Sequence, residues 1–424
     1  MPSTRPELAT AVAAAAASSA RARPWRLPSG VTFALLAAVL FAFFFAAAAP
    51  SPLFVVFQHA WGFSASMLTV AFAIYAIALL ISLLVAGSLS DHIGRKPVVL
   101  AALVLQAVAM GLFVLAHDIG GLIVARVVQG VATGVASGAL SAAVVEAAPA
   151  SRKRLGALIT SVSPLAGLAV GALLTGVAVK FTDQPVLLVF GMLAAVFAVG
   201  AAVVAWMPET VAPRAGAWAS LVPRVSIPAR ARADFLRGLP VLIVVWALGG
   251  LYLSLAPSLM HHVFGIDNGV VNGLTIAVLS GFGAVAPTLL GRFAAPRPVI
   301  FGMVSIAVGL VLLLASLATG SLALFFVGTA IAGLGFGGAF SALVQTLAPL
   351  ADSHERGELF AAIFVVSYLA FSLPAMLAGF LVAPLGLLVT VQGYAAVLLL
   401  IAAFGLWRQG AVLRRTARGL PAGR

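Results

Sequence analysis

From residue 31 onward the chain alternates long apolar runs with short polar or charged connections. Twelve runs stand out, at 31–57, 66–89, 97–116, 120–145, 155–179, 185–207, 239–260, 270–291, 298–318, 321–346, 358–383 and 386–407. Their apolar residues go all the way round a helical projection rather than along one stripe. That predicts helices with apolar surroundings on every side. About 20 helical residues cross the roughly 30 Å of bilayer hydrocarbon. The pattern therefore predicts an all-α integral membrane fold with twelve transmembrane helices.

The only connection of real length, 208–238, is rich in Pro and Arg. It divides the chain into a six-helix half at 30–207 and a second at 239–407, with tails at 1–29 and 408–424. The alanine-rich start is followed by Arg21, Arg23 and Arg26. A secretory signal carries its positive charges before the apolar stretch, so 1–29 reads as a disordered cytoplasmic tail. The halves echo one another. Pro149 to Gly156 after span four matches Pro349 to Gly357 after span ten, and Gly291 to Pro298 looks like a worn copy of the loop after span two. Such internal repetition suits a transporter that rocks two halves around a midplane site.

Composition agrees with a lipid solvent. The chain is 63% hydrophobic and 8% charged, against about 25% charged for soluble domains. A formal charge of +13 raises nucleic-acid binding as a reading. The distribution argues against it. Lys180 alone lies in a connection on one side and Arg126 lies inside a span, whereas every other Arg and Lys falls on the opposite side. This asymmetry predicts cytoplasmic termini. Cysteine is absent, which excludes disulfides and thiolate chemistry. Arg far outnumbers Lys alongside abundant Ala, Gly and Pro, a composition that points to a bacterial inner membrane.

The charged turn after span two reads Gly87-Ser-Leu89-Ser-Asp91-His92-Ile-Gly94-Arg95-Lys96-Pro97. It resembles the signature loop between helices two and three of the major facilitator superfamily of secondary transporters, with His92 where Arg is usual. The resemblance implies that Asp91 meets the N-terminus of span eleven and latches the outward-open state. It also implies a charge relay from Asp91 through Arg95 to Glu146 at the end of span four. In span four, Arg126-Val-Val-Gln129-Gly130 matches a second pattern of the superfamily, implying an Arg that faces span one inside the cavity. A snorkelling Arg is the plain alternative. Gly130, Gly134 and Gly138 form a small-residue ridge suited to close helix packing. In span five, Pro164 and Gly167 match part of a drug:proton antiporter motif and predict a helix bend, while Ser163 and Leu168 replace its other glycines. Met207-Pro208-Glu209-Thr210 reads as a helix-end signal.

The resemblance places spans one, four, seven and ten around the cavity. That makes Arg126, Gln129, Thr133, Trp246, Tyr252 and Gln345 the candidate substrate and proton groups. The eleven acids all lie outside the spans or at their ends, so no deep carboxylate awaits a cationic substrate. His261-His262 is weak as a metal pair, because adjacent helical residues point to different sides. The glycines from Gly333 to Gly338 lack the strand–turn–helix context of a nucleotide loop. No catalytic constellation, cofactor or metal site is expected. The reading is a monomeric transporter in a lipid bilayer that exports a small organic molecule against protons. A metabolite importer or facilitator is the alternative, and a non-transporting membrane sensor a more distant one.

Overall fold

A computed structural model of the chain describes residues 29–149, 153–207, 209, 214–290, 293, 297–352 and 354–417. The expected N-terminal tail, the end of the C-terminal tail, Arg152 and the Gly291-Arg292 stretch lie outside the described residues.

Twelve helices are long and apolar enough to cross a membrane: Gly30–Trp61, Ala65–Ala86, Arg95–Leu115, Ile119–Ala147, Lys153–Phe181, Pro185–Trp206, Ala229–His262, Gly269–Leu290, Arg297–Thr319, Leu322–Leu350, Arg356–Leu385 and Leu387–Gly410. They are numbered spans one to twelve. No strand occurs among the described residues. An even number of crossings puts both ends of the bundle at one face, here called the terminal face; the other is the distal face.

Two prolines set local detail. Pro50 splits span one into Ser29–Ala48 and Pro50–Trp61, because its missing N–H leaves the carbonyl four residues back unbonded. Span seven starts at Ala229, well ahead of the 239 expected, and contains Pro240 in its interior. Its helix tolerates the ring because the Leu236 carbonyl that Pro240 cannot bond accepts from Arg408 Nη1 at 3.1 Å. Span five continues as one helix through Pro164 and Gly167. Gly167 also lies against the Phe41 backbone and Phe44 side chain of span one, where a Cβ would collide.

The side chains form two main cores. One gathers Phe43, Phe54, Phe72, Phe113, Phe190 and their neighbours from spans one to six. The other gathers Leu248, Tyr252, Phe325, Leu343 and theirs from spans seven to twelve. Between the halves, spans two and eleven pack together, as do spans five and eight. The tightest approaches crowd toward the distal face. A Cβ at Gly176 would collide with the Gly269 carbonyl, one at Gly273 with that of Ala172, and one at Gly379 with Thr69. The absence of side chains at these points lets the halves close there.

Candidate functional site

Arg126 is the one buried charged side chain among the described residues, 1% exposed and two turns inside span four. At 1.5 Å per residue it sits about 10 Å from the helix start. Its guanidinium does not snorkel. Nε donates to the Ala71 carbonyl at 3.2 Å, Nη2 to that of Phe72 at 3.5 Å and Nη1 to Gln129 Oε1 at 2.8 Å. The cation lies 4.3 Å from the Tyr75 ring centroid and 5.8 Å from that of Phe54. Carbonyl dipoles and aromatic faces thus take the place of a counter-ion.

Gln129 completes the group. Its Nε2 donates to the Ala46 carbonyl at 2.7 Å. Ala46 is four residues before Pro50, so this is the carbonyl that the proline orphans. Thr133 Oγ1 in turn donates to the Gln129 carbonyl at 2.8 Å. Arg126, Gln129 and Thr133 therefore form one network binding spans one, two and four, enclosed by helices rather than lining an open cavity.

The other cavity candidates separate. Trp246, midway along span seven, stands in a ring cluster at the boundary of the halves. Its centroid distances are 4.9 Å to Tyr368, 5.5 Å to Phe340 and 5.9 Å to Phe371. Phe72 of span two approaches Phe371 at 4.9 Å. The indole Nε1 is buried without a hydrogen-bond partner. Tyr252 lies inside the second core, its hydroxyl 2.9 Å from Thr329 Oγ1, away from that boundary. Gln345 is exposed near the terminal end of span ten, with Nε2 donating to Ser341 Oγ at 3.1 Å.

The loop after span two folds as a short helix, Ser90–Ile93, and a sharp turn at Gly94. Gly87 continues span two, its N–H bonded to the Leu83 carbonyl. Arg95 pairs with Asp91 at 2.5 Å and Glu146 at 3.3 Å. The expected contact between Asp91 and span eleven is absent in this conformation: no ion pair or hydrogen bond among the described residues joins them. A second carboxylate organises the turn instead. Glu209 accepts from the backbone N–H of Arg95 at 2.9 Å and of Lys96 at 3.0 Å, capping the positive end of span three. The central connection also meets the loop through Arg214 N–H to the His92 carbonyl at 2.7 Å and Ser88 Oγ to the Ser220 carbonyl at 3.0 Å.

Tyr75 and Tyr368 are not among the sequence candidates, and the sequence does not reveal what Glu209 and Asp267 contact. The chain has only four tyrosines, and a hydroxyl in an apolar run was the available signal for two of them. For Glu209 it was an acid inside the helix-end signal of span six. At the distal face the turn after span seven returns Asp267 onto His261, supplying the carboxylate that the sequence does not place there. Among the described residues no group is arranged to hold a metal ion.

No curated protein matches the chain. Solved structures do. A POT family transporter in complex with 5-aminolevulinic acid has a TM-score of 0.71 at 13% identity, over 90% of this chain and 96% of that one. The human organic anion transporter MFSD10 (TETRAN) has a TM-score of 0.63 at 16% identity, over 90% of this chain and all of that one. At such identities the likeness is one of fold. The family model of the Major Facilitator Superfamily matches residues 36–375. With twelve apolar helices, two packed cores and that match, the chain is a multi-pass membrane transporter belonging to the Major Facilitator Superfamily.

Proposed function

We propose that the protein exports a small organic molecule across a bacterial inner membrane by alternating access, in exchange for protons. The terminal face is cytoplasmic on this reading, because the Arg and Lys residues concentrate there. The observation that carries alternating access is the one-sided closure. The halves meet through Gly176 and Gly269 and through Thr69 and Gly379 at the distal face, while Asp91 on the terminal face engages Arg95 and leaves span eleven free of it. On this reading the state is inward-facing, and its counterpart forms when the distal contacts part and Asp91 reaches span eleven.

The boundary cluster sets the substrate chemistry. Trp246, Phe340, Tyr368 and Phe371 offer ring faces and one unpaired indole N–H. Arg126 adds positive charge behind Tyr75. An uncharged or anionic compound with a planar apolar part and a hydrogen-bond acceptor fits these groups better than a cation. The Arg126–Gln129 network, held by carbonyls that shift when spans one and two move, is the polar element available to sense the change of state.

The test is a pH-gradient assay in everted membrane vesicles challenged with drugs, organic acids and sugars. Gradient collapse by a compound with the wild type, and not with Arg126→Ala, supports proton-coupled export. Silence in vesicles with uptake of the same compound by whole cells would replace export by import or facilitated diffusion.

A further inference from the structure

The distal seam carries a cluster of ionisable groups that the transport reading does not use. His59 ends span one, in the first half of the chain. His261 and His262 end span seven, in the second. The His59 and His261 rings meet edge to face at 5.2 Å between centroids, and the His261 and His262 rings at 4.5 Å. The turn is closed by the Ile266 N–H on the Met260 carbonyl at 2.8 Å, which brings the Asp267 carboxylate against His261 Nδ1.

Beside the cluster lies a cavity of about 360 Å³, walled by both halves through Gln58, Leu68, Ser258, His262, Val382 and Leu387. Span two contributes Ala65 and Leu68 to that wall, and the end of span eleven with the start of span twelve contributes Val382, Gly386, Leu387 and Leu388. None of these carries a charge. The ionisable groups facing His261 and His262 are accordingly His59 and Asp267.

We propose that these three histidines form a proton-binding site whose occupancy opens the distal seam. With neutral imidazoles the four groups sum to −1; with all three protonated they sum to +2. His59 then opposes His261 and His262 across the joint between the halves. Asp267 sits on the same side as the pair and offsets only one of their charges. Two like charges about 5 Å apart in a water-like medium repel by enough to shift a two-state ratio roughly fourfold. On the orientation proposed above, external acid favours the outward-open state. The inference rests on the seam geometry and concerns conformation, so it stands or falls apart from the identity of any cargo.

The chain contains no cysteine, so spin labels go where cysteines are introduced. Nitroxides at Gln184→Cys, before span six, and Thr319→Cys, at the distal end of span nine, report the separation of the halves at the distal face in nanodiscs. Between pH 7.5 and 5.5 the ratio of long to short distances should rise by roughly fourfold. His59→Gln alone, and His261→Gln with His262→Gln, should each abolish most of that rise while keeping the pH 7.5 distribution. His117→Gln, an exposed distal histidine outside the cluster, should leave it intact. No rise in the unsubstituted background, an unchanged rise without His59, or a rise that depends on His117 would overturn the proposal.

Discussion

The carboxylate of Glu209 occupies the space that a side chain at Gly94 would need. Gly94 holds φ at +104°, a region that glycine enters freely, and a Cβ there would overlap the carboxyl group that caps span three. Two distant sequence features, the loop after span two and the end of span six, are thus one structural unit.

Gly94→Ala should therefore fail twice, through backbone strain and through displacement of the cap. A cost of about 1–3 kcal/mol is expected for the strained conformation. Glu209→Gln, which keeps the shape and weakens the charge–dipole term, should cost about 1 kcal/mol or less. Thermal unfolding of the two detergent-purified variants checks the order. Equal stability of Gly94→Ala and wild type would remove the crowding argument.

Gln129→Leu strips Ala46 and Arg126 of a partner at once. Leaving buried polar groups unpaired predicts a loss of about 1–3 kcal/mol. Pro50→Ala restores an N–H able to bond Ala46, so Gln129→Leu should cost less in that background. A double-mutant cycle on thermal stability reads the coupling; strict additivity would mean that the orphaned carbonyl is not what Gln129 serves.

Arg126→Lys retains the charge and loses the fork. An ammonium cannot reach the Ala71 and Phe72 carbonyls and Gln129 Oε1 in one plane while lying over Tyr75. Flux should fall about tenfold or more with normal membrane insertion, measured as substrate-driven gradient collapse in vesicles. Wild-type flux with Lys would show that charge alone suffices.

Asp91→Asn tests the state that the structure does not show. The Asp91 side chain is half exposed and its pair with Arg95 lies at the surface, where such pairs contribute about 0–1 kcal/mol. Thermal stability should barely move. Turnover should drop severalfold if Asp91 has a second partner on span eleven during the cycle. Unimpaired turnover would exclude that partner.

Reading the chain by itself was enough for the elements. Twelve runs, hydrophobic all round and separated by short charged connections, leave no arrangement but membrane helices, since lipid requires each segment to satisfy its own backbone. The order Gly87, Asp91, Gly94, Arg95 and the pair Arg126 and Gln129 were visible as local patterns and pointed to the superfamily. Partners separated in sequence were not. That Gln129 serves a carbonyl freed by Pro50, that Arg408 serves one freed by Pro240, and that Glu209 caps span three depend on which helices touch. The same holds for Tyr252, which packs into a core, and for Trp246, which reaches the boundary between the halves. Periodicity tells a helix that it lies in lipid; it does not tell it which neighbour it faces. Only packing, where bare glycine backbones such as Gly176 and Gly269 can meet, decides which polar groups are enclosed, which are paired and which face of the molecule is shut.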